Sequence, residues 1–229
     1  MGTVLASALI ARAASILNDA GNVRWGATEL LDYINAAQRE IATLKPDASV
    51  ANGAVQLVAG SLQSIPSGAI LLIDIPRNMG ANGTTVGASI TRMEKDILDS
   101  LYADWQKATA SATVEFYIYD RRYPKKFWVY PPQPGSGMGY VDMFYSVIPA
   151  DVAAAGNAIT LDDIYQNAIL DYMLYRAFQK NTENDFGPTL AKTFRESFLG
   201  TIGFKTSAEQ INAPGGAAGV VQQAKEEAK

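Results

Sequence analysis

The sequence predicts an α+β protein. A helical bundle is built from an N-terminal and a C-terminal helix pair, an antiparallel β-rich lobe is inserted between them, and an extended C-terminal arm follows. Three observations carry this. Apolar residues recur at helical spacing before Pro46 and again after Thr160. Between them, short branched and aromatic runs alternate with Gly- and Pro-rich turns. From Lys205 the chain turns polar and alanine-rich around Pro214-Gly215-Gly216. The predicted domains are 1–46 with 150–204 (helical), 47–149 (inserted, β-rich) and 205–229 (arm or tail).

The first helix is expected over 3–20, with Leu5, Ala8, Leu9, Ala13 and Ile16 on its apolar face. Gly21 is expected to end it in the left-handed conformation that costs glycine nothing. The second helix starts at Gly26, a tolerated N-cap, with Glu29 at N3 near the positive end of the dipole. Trp25 and Leu30 then occupy N′ and N4, the spacing of a hydrophobic staple. Leu30, Ile34, Ala37, Ile41 and Leu44 form the stripe; Asp32, Asn35, Arg39 and Thr43 lie away from it. Pro46 stops the helix. The short connection favours an antiparallel helix pair.

Residues 47–53 read as a loop. Residues 54–59 and 62–66 flank Gly60-Ser61 as a hairpin, and 69–76 (AILLIDIP) is a buried strand. Residues 80–87 form an exposed loop in which Asn82-Gly83-Thr84 is a turn. Residues 94–107 read as a short helix and a loop. Three strands, 113–119, 126–130 and 140–147, are expected as an antiparallel meander. Thr160 is the expected cap of the third helix, with Asp162 and Asp163 in its first turn. That helix carries Ile164, Ala168, Ile169, Met173, Leu174, Ala177 and Phe178 on one side and Tyr165, Tyr172 and Tyr175 on another. A band so wide implies burial on more than one side and leans the tyrosines towards an interface. Gly187-Pro188 opens the fourth helix, with Leu190, Phe194, Phe198 and Ile202 as its stripe.

Composition limits the chemistry. Hydrophobic residues make up 48% and charged residues 18%, as in a globular protein. A net charge of −4 and a pI near 4.9 argue against a nucleic-acid-binding surface over the whole molecule. There is no Cys and no His. That removes thiolate zinc sites, His ligands and the Ser-His and Cys-His nucleophile systems. No stretch is long enough to span a bilayer, and the apolar N-terminus lacks a basic n-region. Asp162 and Asp163 point different ways on a helix, so dipole complementation is their expected role. Glu115 and Asp120 could form a glycosidase pair, against the simpler reading of strand edge and turn. Gly135-Ser136-Gly137-Met138-Gly139 lies between strands without a closing Lys-Ser or Lys-Thr, which rules out a phosphate loop. Arg121, Arg122, Lys125 and Lys126, interleaved with Tyr123, Phe127 and Trp128, fit a solvated hairpin turn, a nucleic-acid contact or a salt-bridging interface.

Five segments together resemble the head–tail adaptor, or connector, family of tailed, mainly short-tailed, bacteriophages. They are NDAGNVRWGATELLDYINAAQREI (18–41), LVAGSLQSIP (57–66), DIPRN (74–78), FYIYDRRYPKKFWVYPP (116–132) and ITLDDIYQNAILDYMLYRAFQK (159–180). Their order and spacing carry the likeness, and none is a catalytic motif. Gly26 departs from the Ser or Thr cap usual in the family, and the chain after 205 lies outside the match. The resemblance implies a structural virion protein of the neck, made in the host cytoplasm, with no enzymatic activity and no cofactor. It implies a ring, commonly of twelve copies, that joins portal to tail and leaves a channel for DNA. The implied partners are the portal protein, a tail nozzle or tube protein, further copies of the chain, and genomic DNA passing without sequence-specific binding; no membrane is involved. A nozzle or tube component is the alternative, and a carboxylate-dependent tail glycosidase the alternative of another class. Arg121, Arg122, Lys125, Lys126, Tyr165, Tyr172, Tyr175, Arg176, Phe204, Lys205 and Ile211 are the expected subunit or portal contacts, with Trp25 and Leu30 as the structural staple.

Overall fold

The computed structural model describes residues 2–180 and 186–212, the last of these (204–212) as backbone only. The chain forms two units, Met1–Lys45 with Pro149–Lys229, and Pro46–Ile148. N-terminal and C-terminal helices pack together, and two β-sheets are inserted between them in sequence, which is the α+β class the sequence predicts.

In the helical unit the chain begins as an extended clip. Val4 accepts a hydrogen bond from the Ile159 amide, and Leu5 bridges to Ala158. Asp163 takes the amides of Thr3 (2.7 Å) and Val4 (3.0 Å) and the Thr3 hydroxyl (2.6 Å). A Cβ on Gly2 would stand 2.4 Å from the Leu161 carbonyl oxygen, so only glycine fits beside this segment. Helix α1 (Ala6–Ile16) buries Ala6, Leu9, Ile10, Ala13 and Ala14, whereas Leu5, Ala8 and Ile16, expected on the apolar face, are exposed. It is shorter than expected because the first residues serve the clip.

The turn out of α1 uses other residues than the sequence suggests. Asn18 (φ 53°) and Asn22 (φ 49°) take the left-handed conformation, and Gly21 does not. Asparagine tolerates that region. Asp19 closes the turn by accepting the amides of Val23 (2.9 Å), Arg24 (3.0 Å) and Trp25 (2.9 Å). The Trp25 amide bond is the main reason the Asp19 carboxyl sits below its ordinary range; partial burial opposes it, and the Val23 and Arg24 amides add to it. A lowered folded-state pKa gives stability that is present above the unfolded value and is lost as pH falls through the folded value. Asp19→Ala should therefore cost stability at pH near 6 and progressively less in strong acid. Urea midpoints of the two proteins across that range measure it; a gap independent of pH would overturn the assignment.

Helix α2 (Ala27–Leu44) starts at the N-cap Gly26 with Glu29 in its first turn, as expected. Leu30, Ile34, Ala37 and Ile41 are fully buried. Leu44, the last residue of the helix, is 46% exposed, whereas Ile41, Ala42 and Lys45 around it are buried. Asn35, expected on the outer face, is buried. Its side chain pairs both ways with Val152, amide to carbonyl at 3.2 Å and backbone N–H to Oδ1 at 2.8 Å. Gln38 Oε1 accepts the amides of Thr160 (2.7 Å) and Leu161 (3.0 Å). Two polar side chains of α2 thus satisfy the backbone of a segment that has no ladder of its own.

Thr160 is not a helix cap: its hydroxyl binds the Ala150 carbonyl. Asp162 caps instead, accepting from the Ile164 amide at the head of a 3-10 turn, Asp163–Tyr165. Helix α4 (Gln166–Lys180; α3, Lys95–Leu101, belongs to the β unit) packs against α1, α2 and α5 (Gly187–Asn212). Three helical neighbours account for its wide apolar band. Phe198 and Ile202 are buried on α5, Phe194 stacks on Phe178 at 5.6 Å, and Leu190 is 39% exposed. Helix α5 continues to Asn212, past the change of composition at Lys205, so the expected arm begins as helix. The rest of that arm lies outside the described residues.

The β unit is two sheets facing each other. The first has the order β1 (Val50–Gln56), β7 (Tyr140–Val147), β3 (Ala69–Asn78), all antiparallel. The second has the order β2 (Gly60–Ser64), β6 (Lys126–Gln133), β5 (Phe116–Ile118), β4 (Thr91–Arg92), with β4 parallel to β5. The expected hairpin at Gly60-Ser61 therefore does not form, since β1 and β2 lie in different sheets. The expected meander fails for the same reason: β5 and β6 pair, and β7 crosses to the other sheet. The loop expected at 47–53 is largely strand β1, which β7 recruits despite its Asn52-Gly53 turn signal. Leu72, Ile75, Val141 and Met143 from one sheet meet Tyr117, Phe127 and Val129 from the other in the core. Asn78 fastens the edge of that core, donating to the Ala88 and Val114 carbonyls and accepting the Val114 amide. Outside the second sheet, α3 (Lys95–Leu101) and the turn Trp105–Lys107 place Leu98 and Trp105 on Ile118.

Candidate functional site

In the helical unit the expected contact residues fall into two groups. Tyr165 and Tyr172 are 3% and 7% exposed. Tyr172 meets Phe198 edge-on at 5.3 Å and Tyr175 at 5.7 Å. The Arg195 guanidinium lies 5.4 Å from the Tyr175 ring and 5.3 Å from that of Phe198, and pairs with Glu40 at 2.7 Å. The tyrosine side of α4 is thus taken up mainly by α5, a use that helical periodicity alone cannot separate from an interface. Burial raises the pKa of Tyr172, and of Asp171, whose Oδ2 accepts the Ser197 hydroxyl at 2.7 Å. Arg176 is exposed, 5.9 Å from the Tyr33 ring. The side chains of Phe204, Lys205 and Ile211 lie outside the described residues. Trp25 and Leu30 are both buried, at 5% and 0%. Beside the α1–α2 connection, Ser7, Ala11, Ser15, Ala20 and Ala27 line an open groove of small residues.

The basic cluster of the β unit divides. Lys125 is exposed but does not line the cleft of the others; its Nζ donates to the Ala69 carbonyl. Arg121, Arg122 and Lys126 line an open cleft of about 860 Å³ with Tyr123 and Trp128. Leu62, Arg92 and Lys95 join them from distant parts of the chain. Sequence reading missed these three, and only the strand register could have found Leu62, which sits opposite Trp128. Asp120 accepts the Arg122 amide (2.8 Å) and pairs with its guanidinium (2.6 Å). That pairing, chiefly the side-chain bond, holds the Asp120 carboxyl below its ordinary range. A glycosidase acid needs the opposite shift. Glu115 contributes its backbone to the β4–β5–β6 sheet, binding Thr91 and Tyr130.

Tyr117, which burial and the Asp74 carboxylate push upward, donates to Asp74 Oδ1 at 2.9 Å. Tyr33 does likewise with Glu29 at 2.6 Å. Both are neutral donors that fix a carboxylate within the fold. No group of acidic side chains fit to hold a metal ion occurs among the described residues. No helix among them is long and apolar enough to cross a membrane.

No curated protein matches this sequence. The SU10 adaptor protein family matches it over residues 5–218. The match takes in both units and runs past 205, so the start of the expected arm lies within the matched residues, contrary to the boundary that the five segments suggest. The chain belongs to the SU10 adaptor protein family, structural adaptors of the phage head–tail junction.

Proposed function

We propose that the protein forms a ring between the portal vertex and the tail, in the virion neck, leaving a channel for genomic DNA. The observation that carries this is the family match over nearly the whole chain, which leaves no room for a separate catalytic domain within the matched residues. Twelve copies is the number that the resemblance implies. The partners are then the portal protein, a nozzle or tube protein on the tail side, and the neighbouring copies. The net charge of −4 suits a channel through which DNA slides without being held.

Helix α5 supports the direction of attachment. At 26 residues against 15 for α4, it is about 39 Å long against about 22 Å, by the rise of an α-helix. Its buried anchors Phe198 and Ile202 precede its last turns. We assign the portal contact to those turns, which carry Phe204, Lys205 and Ile211 in the sequence.

Electron microscopy of the protein mixed with portal should give a cyclic complex with the ring on the portal. A protein that never binds portal would sink this reading, and density at the distal end of the tail would assign a nozzle role instead. Removing residues 205–229 should leave the melting curve of the helical unit nearly unchanged and weaken portal attachment. Attachment equal to that of the full chain would remove α5 from the portal interface.

A further inference from the structure

The outer face of the second sheet is only half covered. Its register sets Leu62, Trp128 and Ile118 in one row across β2, β6 and β5. Leu98 and Trp105 close the Ile118 end, leaving Ile118 3% exposed. Towards β2 the row is open. Leu62 is 48% exposed, Trp128 is half-buried, and Tyr123 stands edge-on to Trp128 at 6.4 Å. The cleft of about 860 Å³ lies over this open end, with Arg92, Arg121, Arg122 and Lys126 around it. Asp120 neutralises Arg122, and Lys126 is held to the Ser64 hydroxyl at 2.7 Å. Arg121 is exposed and makes no ion pair among the described residues.

Around the apolar floor stand five cationic side chains, Arg92, Lys95, Arg121, Arg122 and Lys126, against three acidic ones, Glu94, Asp96 and Asp120, so the rim is cationic on balance. We infer that the cleft holds an acidic segment of a partner protein, with one aromatic or large apolar side chain laid on Trp128 and Leu62 and carboxylates on Arg121 and Lys126. Arginine suits carboxylate recognition because its planar fork can bind both oxygens. A buried aromatic contact framed by charge is the usual anatomy of a protein-binding hot spot. A nucleic acid fits less well. There is one open tryptophan face, where a strand of stacked bases needs several. The inference rests on the adaptor reading only for the source of the segment, another virion protein; binding itself is a property of the isolated chain.

Trp128 is also the reporter. Trp25 and Trp105 are 5% and 2% exposed, so a ligand in the cleft acts chiefly on Trp128 emission. The probes are a twelve-residue peptide of Glu and Asp around a single Phe, the same peptide with Gln and Asn for the acids, and an oligo-dT of like length. Full-length protein should bind the acidic peptide saturably, and the Arg121→Glu/Lys126→Glu variant at least tenfold more weakly. Because both side chains are exposed, the variant should melt like the parent. Equal binding of the neutral peptide, tighter binding of oligo-dT, unchanged binding by the variant, or no saturable binding would each overturn the inference. Self-association of the free protein abolished by the same charge reversal would overturn it in favour of a second copy. Ring formation on the portal is read separately, so loss of peptide binding and loss of the ring remain distinct results.

Discussion

Trp25→Ala should lower the stability of the helical unit by ~3–5 kcal/mol, the cost of emptying a buried aromatic site. Trp25 stands immediately before the Gly26 cap and is 5% exposed. Its indole Nε1 donates to the Ala177 carbonyl at 3.2 Å. Ala177 is among the last four residues of α4, whose carbonyls have no partner within the helix. The side chain therefore does two things at once: it fills space beside α2 and it caps the end of α4. The ion pair between Glu29 and Lys180 (2.7 Å) joins the same two helices, but its partners are 31% and 50% exposed and the pair contributes little. Trp25→Phe separates the two roles. It keeps most of the volume and loses the hydrogen bond, so about 1–3 kcal/mol should go, the cost of an unsatisfied buried polar group. Urea denaturation followed by far-ultraviolet circular dichroism measures both. A loss below ~1 kcal/mol for Trp25→Ala would show that the site relaxes around the gap, and the capping role would fall with it.

The same residue shows what the sequence made legible. Trp25, Gly26, Glu29 and Leu30 have fixed local spacing, so the start of α2 could be read directly. The partner of the indole could not, because Ala177 lies far along the chain and its signal is a bare carbonyl. The division holds elsewhere. A helix with a clear stripe is legible, whereas the inward position of Asn35 and Gln38 is not. Their burial depends on the unpaired backbone at Val152, Thr160 and Leu161, which no periodicity encodes. Strands β5, β6 and β7 are each legible by composition, but nearness in sequence, which gives the β5–β6 pair correctly, points β7 to the wrong sheet. Tyr117 and Phe127 face the other sheet while Ile118 and Trp128 face α3, so both sides of β5 and β6 are apolar. Alternation then cannot say which side meets β7. The cleft was half legible: the cationic run Arg121–Lys126 is local, whereas Leu62 and Arg92 reach it through the sheet, and Lys125 leaves it for Ala69.

Phe198→Ala should cost ~3–5 kcal/mol as well, and its effect should be confined in a different way. Among the described side chains of α5, the buried ones are Ala191, Phe198 and Ile202, and Phe198 is the only large aromatic with no exposure. It holds Tyr172 edge-on and lies under the Arg195 guanidinium, whose pair with Glu40 ties α5 to α2. Removing the ring loosens that whole set, because Arg195 loses the surface that orients it towards Glu40. Hydrogen exchange should therefore quicken along α5 first, while the amides of β7 in the other unit keep their protection. Phe198→Leu should recover much of the loss by refilling the volume without the edge-on contact. The consequence for assembly follows from the length of α5. Its last turns are positioned by an anchor one to two turns earlier, so a variant with a loosened α5 should attach to portal more weakly even though Phe204, Lys205 and Ile211 are unchanged. If Phe198→Ala lowered stability as stated and left portal attachment at the parent level, the last turns of α5 would not be what the portal grips. The contact would then have to be sought among the exposed groups of α1 and α2.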